Sequence, residues 1–89
     1  MREIEIGKTY RHFKGNLYRV VDVAECTETG ERMVVYRALY GKNKLWVRPY
    51  EMFASKVDKK KYPEIKQKYR FERVKIKIVD IRIKVQISL

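Results

Sequence analysis

Residue types that carry chemistry are scarce in this 89-residue chain: one cysteine (Cys26), one histidine (His12) and serine only at 55 and 88. A lone cysteine cannot close an internal disulfide, so the chain does not read as a cross-linked secreted scaffold. A nucleophile–base dyad would need Cys26 to meet His12, and Cys26 falls at the edge of a polar loop. No spacing of acids or cysteine around His12 suggests a metal site, and nothing points to a cofactor. The four glycines, at 7, 15, 30 and 41, stand singly, which excludes a glycine-rich phosphate loop. Long apolar runs are missing too, because Lys and Arg interrupt the Ile and Val of the C-terminal segment, so no membrane span is expected. The N-terminus opens on Arg2, Glu3 and Glu5 rather than on an apolar secretion signal. The expectation is a cytoplasmic chain with no catalytic residues, metal or cofactor.

Positive charge is abundant. The formal net charge is +11. Residues 1–55 hold ten basic and seven acidic side chains, whereas residues 56–89 hold twelve and four. Such asymmetry suits a polyanionic partner, although Lys-rich solvated faces are common. The length allows one small domain, whose core rarely yields more than about 3–5 kcal/mol of net stability.

Turn residues divide the chain into short strands. Residues 4–14 begin with an alternating piece interrupted by Gly7, with Tyr10 and Phe13 expected in the core. Lys14-Gly15-Asn16 reads as a turn. In 17–25, apolar residues occupy both faces near Val20-Val21, which fits a doubly buried strand or a bulge. Residues 26–31 form a polar loop in which Gly30 supplies the left-handed residue. Residues 32–40 are a third strand, residues 41–44 a second turn and residues 45–48 a fourth strand. Pro49 ends that strand and opens a single helical turn, Tyr50 to Phe53, whose Met52 or Phe53 would plug one end of a barrel. Pro63 starts either a short helix through Lys68 or an extended loop. From Val74 onward, apolar and basic residues alternate, and the phase flips at Ile78-Val79. The sum is mainly β: a small, partly open barrel over 1–72, followed by a basic strand over 73–89 that joins the sheet or pairs two copies.

One aromatic and basic constellation stands out. Tyr36 and Tyr40 fall on one face of the third strand, and Trp46 and Arg48 on one face of the fourth. If the two strands pair, these four make one patch, with Arg37, Lys42, Lys44 and Glu51 beside it. Rings stack on bases and Arg binds phosphate, so such a patch suits single-stranded nucleic acid. It also suits an extended peptide. The plainer reading buries Trp46 and Tyr36, because a small barrel needs large side chains to fill it. Glu51 would pair with Arg48 across the helical turn. The basic face of the tail is Arg73, Lys75, Lys77, Arg82 and Lys84.

Four strings occurring in order, YRHFKGNLY (10–18), TETGE (27–31), VVYRALYG (34–41) and LWVRPYEMF (45–53), resemble the small bacterial family of domains of unknown function numbered 1653. KKYPEIKQKYRFE (60–72) resembles one version of that family's C-terminal end. The resemblance spans about residues 6–72. It implies a compact β-rich domain like a Src-homology-3 barrel, and it implies no known catalytic residues. The functional expectation is a non-enzymatic binding module for RNA, DNA or another polyanion. The alternatives are a peptide-binding or self-associating module and a small-molecule or nucleotide reader.

Overall fold

The structure, a computed structural model, describes residues 2–75. Five antiparallel strands form one sheet: β1 (Thr9–His12), β2 (Leu17–Glu25), β3 (Arg32–Ala38), β4 (Leu45–Pro49) and β5 (Phe71–Arg73). Their order is β4-β3-β2-β1-β5. The sheet curls but does not close, so β4 and β5 are edges and the mainly β, partly open expectation holds. One short helix, α1 (Tyr50–Phe53), follows β4 directly.

Local chemistry sets the turns. Gly30 adopts φ 73° in the β2–β3 connection, where its N–H donates to Cys26 O at 2.7 Å. In the β3–β4 turn, Gly41 and Asn43 both take positive φ, at 56° and 53°. Asn43 is the non-glycine residue that adopts this conformation most readily, because its short amide can bond locally. Its Nδ2 donates to Ala38 O at 3.0 Å, fastening the turn to the end of β3.

The irregularity near Val20-Val21 is a bulge. Val20 pairs with Tyr36 and Asp22 with Val35, so Val21 has no partner of its own. The extra residue resets the alternation. Val20 is fully buried and Val23 packs against the core, whereas Val21 is 42% exposed.

Aromatic rings make up most of the core. Phe53 of α1 lies parallel to Phe71 of β5, with ring centroids 4.0 Å apart. The same Phe53 ring meets Tyr36 at 5.1 Å and Tyr10 at 5.7 Å, edge to face. Phe53, not Met52, is therefore the plug: it has no exposed surface, while Met52 is 47% exposed. Each such ring contributes about 1.5–3 kcal/mol by burial. The N-terminal piece is an arm rather than a strand. Ile4 N–H donates to Tyr50 Oη at 2.7 Å and Glu5 N–H to Tyr10 Oη at 2.9 Å, so two buried phenols are satisfied by arm backbone. Arg2 caps α1 from the same arm, donating to Ala54 O and Phe71 O.

Residues 54–70 hold no helix beyond α1; Pro63 and Glu64 sit in a turn and the chain then runs extended. The extended alternative wins because the backbone there finds partners elsewhere. Lys56 bridges Tyr69, Val57 N–H donates to Lys68 O, and Lys59 Nζ gathers the carbonyls of Ile65 and Gln67. Phe71, which the sequence pattern did not single out, proves to be a central core residue. The tail strand beyond Lys75, its phase flip and its pairing between copies lie outside the described residues, as do Lys77, Arg82 and Lys84.

Candidate functional site

Alternation in five paired strands places one set of side chains on the inner face of the sheet. Across the registers Trp46↔Tyr36, Val20↔Tyr36, Tyr18↔Ala38, Tyr10↔Tyr18 and His12↔Phe71, that set includes Trp46, Arg48, Tyr36, Tyr18, Tyr10, His12 and Phe71. Four residues of α1 cannot cover all of it. The part beneath α1 is core, and the rest opens to solvent as a shallow groove.

The open part begins at β4. Tyr18, Tyr36, Tyr40, Trp46 and Arg48 line a hollow of about 220 Å³. All four expected patch residues are therefore neighbours, joined by Tyr18. Their burial differs. Tyr36 is 4% exposed, whereas Tyr40 is 44% and Trp46 48% exposed. The core assignment thus holds for Tyr36 and fails for Trp46, although the two are directly paired. The physical reason is position. Tyr36 sits on an inner strand under Phe53 and Phe71, and Trp46 sits on edge strand β4. Lys44 Nζ, 5.9 Å from the Trp46 ring, is its charged neighbour.

Rings continue across the sheet. Tyr18 meets Tyr36 at 5.5 Å, Tyr40 at 5.5 Å and Phe71 at 5.6 Å, each edge to face. The Tyr18 and Tyr40 hydroxyls bond at 2.8 Å. Burial, and then this bond, push the Tyr18 phenol up to about 12, so the Tyr18 hydroxyl stays protonated at ordinary pH. Arg48 fixes the floor: its Nε donates to Tyr36 Oη at 3.1 Å and its guanidinium lies 5.7 Å from the Phe71 ring. The expected Arg48–Glu51 pair does not form; Glu51 is exposed and lines a separate hollow with Glu31, Arg32 and Tyr50. Arg37 points to the other side of β3 and donates to Asn43 O at 3.0 Å, bracing the turn that carries Lys42 and Lys44. Those two lysines edge a further hollow of about 170 Å³ with Tyr40 and Trp46. Arg73 belongs to β5 and pairs with Glu5 at 2.8 Å, and Lys75 lines a hollow with Arg19 and Arg73.

A second cavity, about 330 Å³, shares Arg48 with the groove. Its other walls are His12, Phe13, Lys14, Val57, Asp58, Lys61, Tyr62 and Arg70. The sequence reading missed this cluster. Its members come from the end of β1, the β1–β2 turn, β4 and residues 57–70, and only Arg48 belongs to the expected patch. A faint signal was available in the density of Lys and Tyr over 59–70. Among the described residues, no group of three or more His, Cys, Asp or Glu stands close enough to hold a metal, and no helix is long and apolar enough to cross a membrane.

The family model described as "Protein of unknown function (DUF1653)" matches residues 8–73. A crystal structure of a DUF1653 protein from Bordetella bronchiseptica is similar at 30% identity and a TM-score of 0.68, over 83% of this chain and 91% of that one. No curated protein matches. The family match takes in every strand of the sheet and both walls of the groove, and the chain accordingly belongs to the DUF1653 family.

Proposed function

We propose that this domain is a non-enzymatic binding module that holds single-stranded nucleic acid in the groove on the inner face of its sheet. The supporting observation is the juxtaposition of two half-exposed rings, Tyr40 and Trp46, with Arg48 in one hollow of a strongly basic chain. Stacking on exposed rings is worth about 1–3 kcal/mol per base and tolerates any sequence, while cations along the groove hold the backbone. The order β4-β3-β2-β1-β5, with a helical turn between β4 and β5, favours a Src-homology-3-like scaffold, although the sheet stays open. The module is proposed to act in the cytoplasm.

The test is fluorescence anisotropy of the full chain with short single-stranded RNA and DNA at several salt concentrations. The reading expects binding that weakens linearly in log–log form, with a slope of about −0.7 for each phosphate neutralised. Flat traces at low salt would remove it. Turnover of any substrate that vanishes on replacement of His12 or Glu51 would remove the non-enzymatic part.

A second reading is favoured by edge strand β4, whose outer face exposes Leu45 and Val47 at 50% and 60%. An extended peptide could add there as a sixth strand. Substitution of Val47 by Lys would abolish such binding and leave nucleic-acid binding intact.

A further inference from the structure

The cavity behind Arg48 has the makings of an anion site. Four cationic side chains, Lys14, Arg48, Lys61 and Arg70, line it against one carboxylate, Asp58. Its Oδ1 accepts the N–H of Lys60 at 3.0 Å and of Lys61 at 3.3 Å, and its single negative charge leaves the four cations in excess. None of the four cations makes an ion pair with a described residue. Clustered like charges repel, and their clustering is stabilised by a bound counter-charge.

The walls are fixed rather than loose. Phe13 N–H donates to Arg70 O and Arg70 N–H to Ser55 O, both at 2.9 Å, and Val57 N–H donates to Lys68 O at 2.9 Å. These bonds tie the β1–β2 turn to both ends of the long loop. The Arg70 guanidinium is held by Nε donating to Ser55 Oγ at 3.3 Å, which leaves its terminal nitrogens for a ligand. Phe13 and Tyr62 pack at 4.9 Å and form an aromatic wall, with Lys14 Nζ and Lys61 Nζ 5.8 and 5.5 Å from the Tyr62 ring.

His12 completes the set. Its Nδ1 accepts the Lys14 N–H at 3.1 Å, so in the neutral ring Nε2 carries the proton and is a donor. Burial first, and then Arg48, Arg70 and Lys14, hold this imidazole down at about 4. It therefore remains a neutral donor at pH 7, facing three of the cavity's cations.

We propose that this cavity is a phosphate subsite, in which Arg48, Arg70, Lys14 and Lys61 hold one phosphoryl group of a bound strand while the neighbouring base stacks at Tyr40 and Trp46. This rests on the proposed nucleic-acid reading. Guanidinium forks match phosphate oxygens, and Arg48 is placed to serve both halves of the ligand because it lines both hollows. Trp46 and Arg48 are two residues apart on one strand face, about 7 Å, a span that fits a base and its own phosphate.

Two titrations of the full chain test it. In the first, inorganic phosphate is added while the His12 ring is followed by NMR. The subsite predicts saturable shifts and a His12 pKa that climbs from about 4, because the anion offsets the cations. In the second, the anisotropy titration is repeated with R70Q, K61Q and the double variant. Each surface change leaves the fold intact by circular dichroism, and the double variant lowers strand affinity at least about tenfold and flattens the salt slope by about 0.7. No His12 response to phosphate, or a response unchanged in R70Q/K61Q, overturns the subsite. Strand binding that is unaffected in the double variant but lost in W46A also overturns the subsite and leaves the binding module standing. Phosphate binding at His12 without any strand binding supports the subsite and overturns the module.

Discussion

Lowering the pH should destabilise this fold through His12, and the effect can be isolated. The ring is half-buried, stacked on Phe13 at 4.4 Å and against the edge of Phe71 at 4.9 Å, and it faces Arg48, Arg70 and Lys14. Its pKa falls from the ordinary 6.5 to about 4. Above pH 6.5 the imidazole is neutral in both folded and unfolded chains and contributes no pH dependence. Between 6.5 and 4 the unfolded chain binds the proton that the folded chain refuses, so stability drops as the pH falls. Below about 4 both forms carry it and the penalty is complete. A fully transmitted shift of this size would amount to about 3.4 kcal/mol at 1.36 kcal/mol per unit. His12 is only partly shielded, and solvent screening reduces this to about 1–2 kcal/mol. The assay is urea unfolding at pH 7.5, 6, 5 and 4 for the natural chain and for His12→Asn, whose amide oxygen can still accept the Lys14 N–H. Every other ionisable side chain is common to both proteins, so the difference between them belongs to His12. The natural chain should lose about 1–2 kcal/mol relative to the variant between pH 6.5 and 4. Parallel loss would refute the environment assigned to His12. A relative gain would mean that an acid faces the ring instead.

Other substitutions separate stability from binding. Phe53→Ala removes the ring that meets Tyr10, Tyr36 and Phe71, and should cost about 3–5 kcal/mol, enough to unfold a domain of this size at 37 °C by circular dichroism. Trp46→Ala, on a side chain 48% exposed, should cost no more stability than a surface change does, about 0.5 kcal/mol in urea unfolding, while weakening strand binding about fivefold or more by anisotropy. Glu5→Gln breaks the Arg73 pair, whose two side chains are 48% and 40% exposed, and should cost less than about 1 kcal/mol in urea, less still at high salt.

Local chemistry made much of the fold legible. Gly30 and the Gly41–Asn43 pair take positive φ and turn the chain where the sequence put its hairpins. Pro49 ends β4 because it lacks a ladder donor; with φ −50° and ψ 135° it stands just before α1, whose turn begins at Tyr50. The doubled apolar positions at Val20-Val21 left a doubly buried strand or a bulge, and the structure holds the bulge, since a period of two cannot absorb an extra residue. Those are rules of neighbouring residues, and the sequence states them directly.

What lies far apart in the chain was settled only by folding. Tyr36 and Trp46 look alike in pattern and face each other across β3 and β4, yet one is buried and the other open, because a four-residue helix covers the inner strands and not the edge. The segment after Pro63 had the makings of a helix, but Lys59 and the Lys56–Tyr69 bridge engaged its backbone first. The basic cavity gathers Lys14 from the β1–β2 turn, Arg48 from β4, and Lys61 and Arg70 from the long loop. No local period records such a meeting, since side chains separated by tens of residues become neighbours only when the sheet curls and the long loop is tied back across it.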